Sequence, residues 1–274
     1  MPETTFSAAL EQSYPRLFHR NAVVLRAFHA AVHAFTLRNW YIRRRLREIV
    51  DSLPRGATVV DVGCGTGDHV FYALRCRADL KVLGIDRSDA SIDLCRAYAK
   101  AIGAPAEFIH GDADDGLELP PADLLLCITA LQYVADDIGA LAEFRGILRA
   151  GGRLLVYVPV RNRRLSSLYR RLVEESPRHY DTVQSRRRIY EVEEVEAKLE
   201  AGGFFIERSE QAYGIFGKIY FEMIELLLHG LVRSPWGVLL LPIAIVVSPA
   251  LVFLMLLDFV FPVGEGNGLL LVAR

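Results

Sequence analysis

Three glycines at alternate positions, Gly63, Gly65 and Gly67, follow the mostly apolar run Val59-Val60-Asp61-Val62. Between a strand and a helix, such a turn brings backbone close to a ligand and aims N–H groups at it. A dinucleotide fingerprint needs G-x-G-x-x-G, so that a pyrophosphate reaches the helix N-terminus. Here the spacing is G-x-G-x-G, and Asp68 stands where that pyrophosphate would lie. A carboxylate there disfavours NAD or FAD and suits a nucleoside without phosphates. Two more acidic residues close apolar runs, Asp86 after KVLGI and Asp112 in HGDADD. Each is a turn residue by type, or a hydrogen-bond acceptor held at a strand end. Asp61 is either a brace for the loop or part of the same site. Cys64 reads as a small filler in the loop, since nothing nearby would lower its pKa.

The elements that must carry these residues alternate. Short β-rich runs predict strands at Thr58–Val62, Lys81–Ile85, Ala106–Ile109, Asp123–Thr129, Arg153–Val158, from Phe204, and at Gly268–Ala273. Helical patterns lie between them: from Asp68, over Ser88–Lys100 with Ser88 as N-cap, over Ile138–Arg149 up to Gly151-Gly152, and over Val192–Glu200. The alternation predicts an α/β fold with a mostly parallel sheet. The first 50 residues read as helices; Ile42, Leu46, Ile49 and Val50 share one face, with Arg43, Arg44, Arg45 and Arg47 around it.

Composition narrows the class. The chain has 274 residues, 52% of them hydrophobic and 24% charged, with net charge −1. That excludes disorder and a nucleic-acid-coating protein. The cysteines, at 64, 76, 95 and 127, have no C-x-x-C spacing and no histidine cluster, so no structural zinc is expected. They read as reduced thiols in a cytoplasmic protein, in keeping with an opening segment that lacks a secretory signal's apolar core.

The stretch Val59-Val60-Asp61-Val62-Gly63-Cys64-Gly65-Thr66-Gly67 resembles the first motif of class I S-adenosylmethionine-dependent methyltransferases of the type 11/25 kind. The resemblance continues in order through Asp86, Asp112, the strand at 123–129 and the turn Leu148-Arg149-Ala150-Gly151-Gly152-Arg153-Leu154. It covers roughly residues 40–212 plus the last strand. It implies a Rossmann-like seven-stranded sheet with an antiparallel last strand, helices on both faces, and S-adenosylmethionine as cofactor. The cofactor site would comprise Asp61, Gly63, Cys64, Gly65, Gly67, Asp86, Arg87, Asp112, Ala113 and Ile128. Asp86 would take the ribose hydroxyls, Asp112 would receive the adenine amine, and the end of the fourth strand would face the methyl group. Methyl transfer from a sulfonium is an in-line displacement that needs orientation, exclusion of water and at most one general base. Base candidates near the expected cleft are Tyr133, His179 and Tyr180, although His179 beside Arg178 is equally a solvated loop residue. Asp136, Asp137 and Glu143 read as part of the exposed helix after the fourth strand. No metal is expected.

Residues Ser234–Leu257 carry no charge, and Pro242 and Pro249 interrupt them. Ahead of them, Lys218, Glu222, Glu225 and His229 form a thin polar stripe on an otherwise apolar helix. If the strands flanking 214–262 are neighbours in one sheet, a single membrane crossing between them is impossible. The reading is a monotopic or re-entrant hairpin bent near the two prolines. Residues 161–188 hold nine arginines against three acids, which would attract anionic head groups. The expected division is 1–50, a helical cap on an acceptor pocket; 51–213 with 263–274, the methyltransferase domain; and 214–262, the apolar insertion. The expected partners are a lipophilic acceptor and membrane lipids, with no nucleic acid and with self-association open. The rival readings are a soluble small-molecule O-methyltransferase whose insertion is a lid or dimer contact, and a membrane-bound scaffold without turnover.

Overall fold

The computed structural model describes residues 35–116, 119–161, 165–174, 188–233, 237–261 and 263–274. Helix α1 (Leu37–Ser52) leads into β1 (Thr58–Val62), α2 (Asp68–Cys76), β2 (Lys81–Asp86), α3 (Asp89–Ile102) and β3 (Ala106–His110). Then come β4 (Ala122–Ile128), α4 (Asp137–Ile147), β5 (Leu148–Pro159), α5 (Val192–Ala201) and β6 (Ile206–Ala212). The apolar insertion forms α6 (Ile215–Arg233) and α7 (Leu241–Val260), and β7 (Gly268–Ala273) closes the sheet. The strand order is β3-β2-β1-β4-β5-β7-β6. The first five strands run parallel, and β7 lies antiparallel between β5 and β6.

Strand residues alternate between two cores, as the pleat requires. Val59, Leu124, Leu126, Leu155 and Leu270 pack under α1, α2 and α3, and Leu251 and Met255 of α7 join them. Val60, Leu125, Cys127 and Val156 pack on the other face, against Phe144 of α4 and Leu199 of α5. Ser88 caps α3 as its type predicts, accepting from Ser91 N at 3.3 Å.

Three expectations change. The helix expected over 138–149 ends at Ile147, and Leu148 already pairs with Ala122. Residues 149–152 loop out of β5, with Gly151 at φ +79° and Gly152 packed against the Ala122 carbonyl, so the glycine pair shapes a strand turn. Asp137 is buried, bonded by Tyr190 Oη at 2.9 Å and paired with Arg188 and Lys198 at 2.8 and 3.0 Å. Its partners lie more than 50 residues away, out of reach of local pattern.

The hairpin bend is the third. It falls between α6 and α7, where Gly237–Leu240 form a 3₁₀ turn. Pro242 sits in the first turn of α7, where a missing N–H costs nothing. Pro249 lies inside α7. Its lost N–H would have bonded the Ile245 carbonyl, and the Ser248 hydroxyl donates to that carbonyl instead at 2.8 Å.

The hairpin is fastened to the domain by buried polar groups. Asp258 accepts from Tyr41 Oη of α1 at 2.9 Å and from Gly217 N at 2.8 Å. Ala212 and Pro159 both register with Gly268, so both ends of the hairpin emerge beside the carboxyl end of β5.

Candidate active site

The glycine loop sits at that same carboxyl edge of the sheet. Gly63, Gly65 and Gly67 all adopt the left-handed region, at φ +74°, +52° and +76°. A Cβ at Gly63 would lie 2.4 Å from Ala130 Cβ, so the turn after β4 abuts the loop. A Cβ at Gly65 would meet nothing within 4 Å, which marks the open side where a ligand can approach. The loop's N–H groups are not aimed outward as its composition predicts. Those of Gly63 and Cys64 donate to the Ile85 carbonyl, both at 2.8 Å, and that of Gly67 donates to Cys64 O. With the Gly63, Cys64 and Gly67 donors committed to the framework, the loop has few N–H groups left for a phosphate.

Asp86 turns toward this loop. Its Oδ2 accepts from Gly65 N at 2.8 Å and its Oδ1 from Ser88 N at 2.9 Å. Each oxygen keeps a further lone pair for a hydroxyl donor. Asp61, in β1, is fully buried, and neither of its oxygens has a hydrogen-bond partner among the described residues. Burial first, then the nearby Asp86 and Asp68, pushes its carboxyl up to about 8. An enclosed carboxylate without a donor is costly, so the neutral acid is favoured unless a donor or a cationic group meets it. S-adenosylmethionine carries an ammonium and a sulfonium and no phosphate, so this donor-poor, acid-rich crevice fits it. Cys64 is buried against Cys95; the hydrogen bond between the thiols and then burial hold its pKa well above the ordinary value, which is the opposite of a nucleophile.

The other expected residues fall around this crevice. Asp112 is half-buried, and its Oδ1 accepts from Asp114 N at 3.2 Å, shaping the turn after β3. Ala113 packs beside the core under β1 and β4, and Ile128 is buried at the end of β4. Arg87 is exposed and lies 5.9 Å from the Tyr133 ring centre, so Tyr133 belongs to the β2 side of the cleft. His179 and Tyr180 lie outside the described residues.

Several residues beyond the carboxyl ends of the strands, or near them, were not expected. Thr129, directly after β4, has φ +55°, a strained conformation for a β-branched residue. Gln132 is buried; its Nε2 donates to Thr129 O at 2.8 Å, and its Oε1 has no partner among the described residues. Tyr157 near the carboxyl end of β5 and Tyr213 after β6 are buried, with both hydroxyl pKa values raised by that burial. Phe221 of α6 joins Tyr213 to Tyr169, at ring distances of 5.8 and 6.0 Å. Thr129 and Tyr157 stand at or near the ends of predicted strands, and no local signal pointed to Gln132, Tyr213 or Phe221.

Comparison with known proteins agrees with this geometry. Residues 59–152 match the family profile of a methyltransferase domain. The tRNA (carboxymethyluridine(34)-5-O)-methyltransferase alkbh8 of Xenopus tropicalis is 31% identical over 121 residues, covering 42% of this chain and 17% of that protein. A trans-aconitate 2-methyltransferase of Azoarcus sp. (strain BH72) is 28% identical over 136 residues, covering 49% of this chain and 51% of the relative. The chain thus spans about half or less of the curated relatives it matches. Among solved structures, phosphoethanolamine N-methyltransferase 2 of Haemonchus contortus superposes with TM-score 0.60 at 16% identity, over 96% of this chain and 59% of that one. The [4+2]-cyclase SpnF superposes with TM-score 0.56 at 21% identity, over 84% of this chain and 79% of that one. A fold shared with a cyclase does not by itself fix a reaction. The glycine loop and the acidic strand ends fit S-adenosylmethionine, and residues 59–152 of this chain match a methyltransferase domain.

Proposed function

We propose that the protein transfers a methyl group to a lipophilic acceptor at the cytoplasmic surface of a membrane. The observation that carries this reading is a shared edge. The cofactor loop and both roots of the apolar hairpin emerge at the carboxyl ends of the sheet strands. On α7, Ile245 and Val246 are 72% and 78% exposed, and the helix is long and apolar enough to cross a membrane. Few soluble surfaces leave so much apolar area uncovered. Anchoring to lipid through 214–262, helped by the arginine-rich stretch 161–188, accounts for it.

S-adenosylmethionine, when bound, supplies a methyl group on a sulfonium whose leaving group is already activated. The chain's own residues then bind, orient and exclude water. Asp86 would hold the ribose hydroxyls, Asp61 the ammonium, and Asp112 the adenine amine, while Gly63, Gly65 and Gly67 let backbone approach. Arg87, Ala113 and Ile128 would wall the nucleoside, with Cys64 beneath the loop. Tyr157, Tyr213 and Phe221 would form an aromatic wall for the acceptor. Tyr133, His179 and Tyr180 stand as candidates for the group that takes a proton from it.

The test is incubation of the full chain with methyl-labelled S-adenosylmethionine and vesicles of total bacterial lipid. Label in the organic extract, lost in Asp86→Ala, is the expected result. Label confined to water-soluble compounds supplied in parallel would favour a soluble methyltransferase. Cofactor binding with no transfer to either would favour a scaffold.

A further inference from the structure

After β5 the chain enters a helical segment, Ser167–Tyr169 continuing as a π turn over Arg170–Glu174. It is not packed like an ordinary surface helix. Tyr169 and Val173, four residues apart, are buried, and the Tyr169 ring meets Phe221 of α6. The adjoining side is apolar as well: Leu165, just before the helical segment, and Leu168 and Leu172, four residues apart, are 46%, 56% and 48% exposed. Beside them Arg170 and Arg171 are exposed. Water offers this leucine stripe nothing, and the arginines make an anionic surface a better cover than an apolar protein face.

The segment is also tied to the hairpin. Glu222 of α6 is buried, and its two oxygens accept from Leu165 N and Ser166 N, each at 2.8 Å. A buried carboxylate spending both oxygens on the entry of another element fixes that element firmly. The leucine stripe and the hairpin are therefore carried as one body, on the acceptor side of β5.

We propose that residues 165–174 are a second lipid-contacting element, in which Leu165, Leu168 and Leu172 enter the head-group boundary of an anionic bilayer while Arg170 and Arg171 meet its phosphates. One weak anchor gives reversible binding, and two together hold. Glu222 sets the two at a fixed spacing, so that docking brings the acceptor side of the sheet against the bilayer. This rests on the reading of a lipophilic acceptor at a membrane, but vesicle binding is measured without methyl transfer, so the two fail separately.

The experiment is flotation of the full chain with vesicles of phosphatidylcholine alone and of phosphatidylcholine mixed with phosphatidylglycerol. Two variants accompany the wild type, Leu165→Ser/Leu168→Ser/Leu172→Ser and Arg170→Gln/Arg171→Gln. The leucine variant should lose about tenfold in partitioning on both vesicles. The arginine variant should lose several-fold on the anionic vesicles only, with the difference vanishing in high salt. Calorimetric affinity for S-adenosylmethionine should stay unchanged in both. Unchanged partitioning of both variants overturns the proposal, as does a wild-type dimer in light scattering that either variant converts to monomer. Should the leucine variant not fold, the surface arginine pair decides alone. Loss of cofactor binding in the wild type would instead sink the methyltransferase reading.

Discussion

At the scale of single residues, Asp61 makes the sharpest statement. Folded and ligand-free, its carboxyl stays protonated up to about 8, whereas in the unfolded chain it ionises near 3.8. Between those values the unfolded state binds fewer protons, so stability falls as pH rises through the window and levels off above it. Thermal melts of the ligand-free protein from pH 5 to 8 should show this decline, and Asp61→Asn should flatten it. The same variant removes the partner of a cationic group and should weaken S-adenosylmethionine binding by roughly 10- to 100-fold. A slope that persists in Asp61→Asn would assign it to other groups. The placement of the glycines just past β1 and of Asp86 at the end of β2 was legible, because apolar runs closed by turn residues mark those strand ends. Gln132 and Tyr213 were not, because their significance lies in burial and backbone strain that only long-range packing creates.

At the scale of elements, the turn after β1 separates two glycines of identical type. Gly63→Ala places a Cβ 2.4 Å from Ala130 Cβ in a left-handed backbone and should cost about 2–4 kcal/mol in denaturant unfolding. Gly65→Ala meets open space, so its stability cost should be about 1–2 kcal/mol, from backbone conformation alone. Its added methyl projects into the ligand's side of the loop, so cofactor affinity should fall more than stability does. Equal stability losses for the two, with unchanged affinity, would contradict this geometry. Strand positions and the Ser88 cap were readable from local chemistry. Pro249 was misjudged as part of the bend, because a proline inside a helix is less costly when its orphaned carbonyl finds another donor, and Ser248 supplies one. Asp137 escaped for a related reason, since a charge looks exposed until its distant partners are known.

At the scale of the whole molecule, sheet topology joins the glycine loop and the apolar hairpin at one edge. The resemblance to the methyltransferase fold implied that both hairpin ends lie on the same side, and the antiparallel pairing of β7 with β5 and β6 bears it out. If α7 faces lipid, its outer residues stabilise membrane binding and contribute little to folding. Ile245→Ser with Val246→Ser should therefore shift unfolding free energy by no more than about 0.5 kcal/mol per site. The same pair should release the protein from sedimenting vesicles. A large loss of stability would instead place that face inside a protein interface.

The central claim is that the crevice between the glycine loop and Asp86 receives a phosphate-free adenosine sulfonium. Titration calorimetry of the full chain with S-adenosylmethionine tests it most directly. One site per chain is the expected result, bound also by the demethylated product and weakened about 10- to 100-fold by Asp86→Ala. No heat from either compound, or full affinity in Asp86→Ala, would contradict the account.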